Sequence, residues 1–215
     1  VLSSVGLTVG QFVHEIKYYL DNITDDINFL SKKLEEQTQE LQRVSILDSN
    51  FAVFKTYMSY FNNVVSQNVI RKLKPIELRT VVRPFVNTMK DDAAKSGILF
   101  SEPIYRGFGL YTKPMHPSEW SSILFNFYTN SKKAIKQTVS KDGLIGIECG
   151  EENGLVYLEF SDTGIGIPKE NEEDIFIEFY TTTSQSDLTD FDDNTQIAGT
   201  GLGLKIVKDI VKSYR

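Results

Sequence analysis

Two glycine-rich strings stand near the C-terminal end of the chain, DTGIGIP from Asp162 to Pro168 and GTGLGL from Gly199 to Leu204. An asparagine-bearing stretch, EWSSILFNFYTNSKKAIK, lies upstream of both. Together these residue types can hold one nucleotide. LVYLEF, just before the first string, alternates and is rich in β-formers, so it reads as a strand with Asp162 past its end. A carboxylate there accepts a hydrogen bond from an exocyclic amine such as that of adenine. Gly164 and Gly166 remove Cβ atoms where the chain must turn sharply or let a flat ring approach the backbone.

In the second string Gly199, Gly201 and Gly203 alternate ahead of an apolar-periodic run, Leu204, Ile206, Val207, Ile210 and Val211. That run predicts a helix whose start presents free N–H groups and a positive dipole end to phosphate oxygens. The spacing is not G-x-G-x-x-G, and the Walker A lysine is missing, because Leu204 stands where the final glycine is needed. In the third stretch Ile123, Phe127, Ser131 and Ile135 recur every four positions, so Asn126, Asn130 and Lys133 fall along a neighbouring helical face. Amide oxygens suit a hard Mg²⁺ ion, and a lysine nearby can meet a phosphate. Singly, each feature has a plainer account: ordinary glycine turns, helix-surface asparagines, and Lys132 and Lys133 as a solvated charged face.

Taken together, the strings resemble the nucleotide-binding domain shared by histidine kinases, gyrase, MutL and the heat-shock chaperone ATPases, the GHKL superfamily. EWSSILFNFYTNSKKA is similar to its N box, DTGIGIP to its G1 box, EDIFIEFYTTTS to its F box and GTGLGL to its G2 box. The resemblance runs from about Pro75 to the end of the chain. It implies that ATP and Mg²⁺ are the cofactors. Asp162 then holds the adenine amine, Asn130 binds Mg²⁺, and Asn126 and Lys133 position the phosphates. Gly164 and Gly166 make room for the base, while Gly199, Thr200, Gly201, Leu202 and Gly203 flank the phosphates. Phe176 and Phe179 would anchor a lid, a role that does not exclude ordinary core packing. Branches that hydrolyse ATP carry a glutamate one turn before the Mg²⁺ asparagine, to activate water. Here that position is Asn126, and Glu119 is too far along the helix to substitute, which favours transfer to a protein nucleophile.

The N-terminal third supplies such a nucleophile. Val9, Val13, Ile16, Leu20, Ile23, Ile27, Leu30, Leu34, Gln37, Leu41 and Val44 follow alternating steps of four and three, a heptad seam broken only by Gln37. Asp48, Ser49 and Asn50 are expected to turn the chain, after which Phe51, Phe54, Met58, Phe61 and Val65 resume the spacing. The predicted product is an antiparallel helical hairpin whose apolar stripe needs a partner, satisfied by a four-helix bundle in a homodimer. His14 lies one residue beyond the seam, on the flank of the bundle. VHEIKYYL resembles the phosphoacceptor H box of histidine kinases, which implies that His14 attacks the γ-phosphate and Glu15 orients or deprotonates it. Family members commonly carry threonine or asparagine four residues after the histidine and then proline. Tyr18 and Tyr19 stand there instead, predicting weak phosphatase activity and a straighter first helix.

The fold class expected is α+β in two domains: a hairpin over residues 1–74 and, over 75–215, an α/β sandwich ATP-binding domain of Bergerat type. Pro75 marks the boundary. A helix is expected from about Ile76 to Ser96 with an irregularity at Pro84. Strands are expected near Ile98 to Tyr105, Gly109 to Thr112, Leu144 to Cys149 and Leu155 to Phe160. The acidic segment between Pro168 and Gly199 is expected to be a lid that moves without nucleotide. A net charge of −6 over 215 residues leaves no footprint for nucleic acid. Cys149 is the only cysteine, on an expected strand, and reads as a buried thiol. His116 has no cysteine or histidine cluster around it to make a zinc site. No run of about 18 apolar residues and no signal peptide occurs. The chain starts at Val1 without methionine and stops where the family normally continues into further strands, so it reads as a fragment. Its expected place is the cytoplasm, with any membrane anchor of the parent protein outside this segment. The expected function is autophosphorylation of His14 followed by transfer to an aspartate of a response-regulator receiver protein. The alternatives are an ATP-driven conformational switch and a nucleotide-sensing scaffold without catalysis.

Overall fold

The computed structural model describes residues 20–34, 39–67, 73–138, 142–177 and 203–214. Two compact units divide the chain, Val1–Lys72 and Leu73–Arg215. His14, Glu15, Tyr18, Tyr19, Phe179, Gly199, Thr200, Gly201 and Leu202 lie outside the described residues, as does most of the expected lid.

In the first unit, helix α1 covers residues 20–33 and helix α2 covers Gln39–Gln67. The expected turn at Asp48, Ser49 and Asn50 is not there, because α2 runs straight through these residues. They are mediocre helix formers, costing well under about 1 kcal/mol each, and no glycine or proline interrupts α2 to turn that preference into a break. The first arm is therefore shorter and the second longer than the heptad count predicts. Lys55 on α2 donates to Thr24 Oγ1 at 3.2 Å and lies 4.0 Å from Asp21, so the two helices run side by side. Of the seam positions, Leu20 and Ile27 are buried, whereas Ile23 and Leu30 remain 41% and 44% exposed.

The second unit is α+β, with a mixed sheet covered on one face by helices. Helix α3 (Arg79–Lys95) runs through Pro84 without a break. It starts three residues later than expected because Lys74 to Leu78 are drawn into pairing with the segment up to Met115. Leu78 N–H donates to Leu110 O, Thr112 N–H to Ile76 O and Met115 N–H to Lys74 O. The strand expected at Gly109 to Thr112 is reduced to these isolated bridges. The strand expected from Ile98 to Tyr105 is split into β1 (Ile98–Phe100) and β2 (Ile104–Arg106), with Pro103 in the gap. Both pair in parallel along one edge of β3 (Gly143–Glu152), and β4 (Leu155–Asp162) pairs antiparallel along the other.

Asn153 and Gly154 form the two-residue turn between β3 and β4, with φ of 53° and 76°. Positive φ at both central positions is the type I′ geometry that Asn-Gly favours in hairpins. The turn sets Ile145 opposite Asp162 and Ile147 opposite Phe160. Ile145, Ile147 and Cys149 are buried on the helix-facing side, so their partners Asp162, Phe160 and Leu158 point to that side too. Helix α4 (Pro117–Lys136) packs there, with Phe127 5.6 Å from Phe160 between ring centroids. Phe85 of α3, Phe100 of β1 and Tyr128 of α4 form the aromatic centre of the core, at centroid distances of 5.8–6.4 Å. Fully buried Tyr128 donates to Asp92 at 2.5 Å, and Lys132 reaches the same carboxylate oxygen at 2.7 Å, binding α4 to α3. Lys132 is therefore part of a buried pair and not of a solvated charged face.

Candidate functional site

Helix α4 positions the site. It begins cleanly: Pro117 fills the first turn, where its missing N–H costs nothing, and His116 N–H donates to Glu119 Oε2 at 2.8 Å. From that start, Asn126, Asn130 and Ala134 recur at steps of four and so share one face. The two glycine strings meet this face at its ends.

At the C-terminal end, the loop after β4 lies down on Ala134. Ile165 N–H donates to Ala134 O at 3.3 Å. A Cβ on Gly164 would stand 2.5 Å from Ala134 Cβ and 2.8 Å from its carbonyl carbon, so only glycine fits between loop and helix. Gly166 is required for a different reason: its φ is +73° with open space around it, a conformation that glycine adopts without penalty. Asp162 is exposed and doubly held. Ser131, itself 4% exposed, donates its hydroxyl to Oδ2 at 2.6 Å, and Gly164 N–H donates to Oδ1 at 2.8 Å. Each carboxylate oxygen keeps a second lone pair for another donor.

At the N-terminal end of the face, Gly203 opens helix α5 (Gly203–Ser213) against Asn126. A Cβ on Gly203 would lie 2.5 Å from Asn126 Oδ1. Asn126 donates its amide to Ser122 O at 2.8 Å, which leaves its carbonyl oxygen facing Gly203. Asn130 is half-buried midway between the two contacts. From Asn126 to Ala134 the helix rises about 12 Å, comparable to the span from base to phosphate chain in a nucleotide. Lys133 is half-buried beside this face, and burial pushes its ammonium below the ordinary lysine range with no described carboxylate offsetting it. An anion is the partner that such a lysine lacks. Phe176, in a short 3-10 turn (Asp174–Phe176), lies under Lys208 of α5 at 4.8 Å.

Four of the expected site residues are thus placed in direct relation to one another or to α4: Asn126 with Gly203, and Asp162 with Gly164. Gly166 sits in the loop that Gly164 anchors, and Asn130 and Lys133 lie on α4 between its two contacts. Ser131 was visible in the sequence only as a member of the apolar stripe. A hydroxyl at a stripe position that faces the core is the signal that marks it, since a buried hydroxyl needs a partner.

Residues 116–215 match the family model described as "Histidine kinase-, DNA gyrase B-, and HSP90-like ATPase". The chain is 38% identical over 97 residues to the sensor histidine kinase WalK of Bacillus subtilis, covering 44% of this chain and 14% of that protein. It is 42% identical over 218 residues to drug sensory protein A of Synechocystis, covering 96% of this chain and 31% of the relative. The chain carries a GHKL ATPase domain of the histidine-kinase kind. The fold agrees: the catalytic domain of histidine kinase ThkA, in a nucleotide-free form, superposes with a TM-score of 0.52 at 23% identity, over 66% of this chain and 82% of that one. The chain spans less than half the length of the curated relatives it matches. Among the described residues of the GHKL domain and the helices before it, no helix is long and apolar enough to cross a membrane.

Proposed function

We propose that this chain is the catalytic core of an ATP-dependent protein histidine kinase, which phosphorylates its own His14 and passes the phosphoryl group to an aspartate of a response-regulator receiver protein. The observation that carries the reading is the single face of α4 that meets a G1 loop at Ala134 and a G2 glycine at Asn126, with Asn130 between them. The sensor-kinase relatives supply the reaction class. Asp162, fixed by Ser131 and Gly164, receives the adenine amine through its remaining lone pairs. Gly199, Thr200, Gly201, Leu202 and Gly203 would flank the phosphates, and these supply the anion for which the half-buried Lys133 ammonium has no described carboxylate.

The α4 face fits Mg²⁺, since Asn130 offers an amide oxygen, the donor type a hard cation takes, midway between the two loop contacts. Asn130 would hold the ion, which when bound offsets the charge of the phosphate oxygens. In the transfer, a neutral imidazole nitrogen of His14 attacks the γ-phosphorus and forms a P–N bond, the bond to the β–γ bridging oxygen breaks, and ADP leaves with that electron pair. Glu15 accepts the proton from the other ring nitrogen. Hydrolysis is disfavoured because Asn126 takes no proton at neutral pH and Glu119 is already engaged by two donors. The exposed seam residues Ile23 and Leu30 support pairing of two hairpins into a four-helix bundle, so the working unit is a homodimer.

The test is incubation with Mg²⁺ and γ-labelled ATP beside His14→Gln and Asp162→Asn variants, with the label challenged by acid and by base. Acid-labile, base-stable label that requires both residues is expected. Steady phosphate release that survives His14→Gln but not Asp162→Asn would instead make the protein an ATP-driven switch. Bound ATP with neither label nor release would make it a scaffold.

A further inference from the structure

The α4 face that carries Asn126 and Asn130 begins two turns earlier, at Glu119. There the carboxylate does two jobs. Oxygen Oε2 accepts the N–H of His116, which caps α4, and also the hydroxyl of Tyr214 at 2.7 Å, just past the end of α5. Helix α5 is therefore held against the same face at two points, by Tyr214 on Glu119 at one end and by Gly203 on Asn126 at the other. Between them the buried side chain of Val207 seats the helix, and Lys208 covers Phe176.

A helix resting on apolar contacts alone can slide along its neighbour by a fraction of an ångström at little cost, whereas a directional hydrogen bond to a carboxylate fixes its height. Burial and the Glu119 bond push the phenol up to about 12, so it keeps its proton and donates near neutral pH. The same oxygen that stabilises the start of α4 therefore also sets where α5 begins.

We propose that Glu119 and Tyr214 are positioning residues for nucleotide binding: their hydrogen bond fixes the axial position of α5 on α4 and so where the first turn of α5, at Gly203, stands relative to Asn126 and Asn130, the face that takes the phosphates. Neither residue touches the ligand. The inference rests on the reading of this face as the ATP site, and it concerns the phosphate half only, since Asp162, Ser131 and Gly164 are held by contacts independent of α5.

The experiment is calorimetric titration of the full chain with Mg²⁺–ATP and with adenosine, in the wild type, Tyr214→Phe and Glu119→Gln. Tyr214→Phe removes one carboxylate-bound hydrogen bond and is expected to weaken ATP by roughly 3- to 10-fold while adenosine stays within about 2-fold. Glu119→Gln keeps an oxygen for both donors and should bind ATP within about 2-fold of the wild type. Hydrogen exchange in the first turn of α5 should rise in Tyr214→Phe without nucleotide. Equal weakening of ATP and adenosine would reduce the contact to general stability and overturn the proposal. ATP binding unchanged in Tyr214→Phe would overturn it too. A wild type that binds no ATP would overturn the functional reading first, and this inference with it.

Discussion

Gly164→Ala probes the seating of the G1 loop most sharply. The new Cβ would lie 2.5 Å from Ala134 Cβ, 2.8 Å from the Ala134 carbonyl carbon and 2.7 Å from Asp162 Oδ1, where ordinary contact begins at 3.4 Å. Two of these atoms are fixed by helix α4, so the loop must lift by about 0.9 Å, and Asp162 must move with it. Overpacking of this kind costs about 2 kcal/mol, which in a unit of this size lowers Tm by about 4–8 °C. A displacement near 1 Å of a group that orients a ligand costs up to about 100-fold, so nucleotide affinity should fall by one to two orders of magnitude. Ala134→Gly in the same chain removes the nearest clash but leaves the backbone carbon, so it should restore part of both losses. Gly166→Ala is the control: its neighbourhood is open, and only the strained φ of +73° is charged, at about 1 kcal/mol. Thermal unfolding and titration with ATP measure all four proteins. If Gly164→Ala unfolded and bound ATP as the wild type does, the loop would not rest on Ala134 and the derivation of the site from that contact would fail.

Asp92→Ala leaves Lys132 charged beside a core with no counter-ion, so it should destabilise the second unit by about 3–5 kcal/mol in denaturant titration, while Asp92→Leu combined with Lys132→Met recovers most of the loss. Burial lowers the pKa of Lys133, so the unfolded chain binds the proton more tightly than the folded one. Without nucleotide, Lys133→Met should therefore be more stable than the wild type at neutral pH. The difference should disappear as pH rises through the window between the lowered value and about 10.5. A bound phosphate reverses that penalty, so ATP affinity in the wild type should weaken over the same rise in pH and lose this dependence in Lys133→Met. Cys149 is fully buried with its thiol pushed up to about 11, so a thiol reagent should label it at the rate of unfolding and not faster.

The site was legible where chemistry and local pattern coincide. Asp162 at the last position of an alternating strand, which runs two residues beyond the end expected at Phe160, and asparagines on a helix of clear period are fixed by neighbours within a few residues. What stayed hidden depends on partners far along the chain. Nothing near Lys74 announces that it will pair with Met115, so the sequence predicts helix from about Ile76, where the chain is still bridged to Tyr111 and Met115. Lys132 looks solvated until Asp92, forty residues earlier, is brought against it. Gly164 reads in the sequence as space for a base, and nothing local reveals that the same position also has to clear Ala134 of α4. The turn expected at residues 48–50 failed for an opposite reason: its polar triplet carried a local preference for turning too weak to interrupt an otherwise continuous helix.

The Asn153–Gly154 turn has a consequence for which changes of length the domain tolerates. Side chains on a strand alternate faces, and the turn anchors the count from which Asp162 is the eighth residue of β4. One residue inserted between Leu155 and Ser161 would rotate the carboxylate to the open side of the sheet, away from Ser131 and α4. Two would return it to the correct side but carry it beyond Ile145. The strand can therefore exchange most of its side chains and keep the ligand, but it cannot change its length.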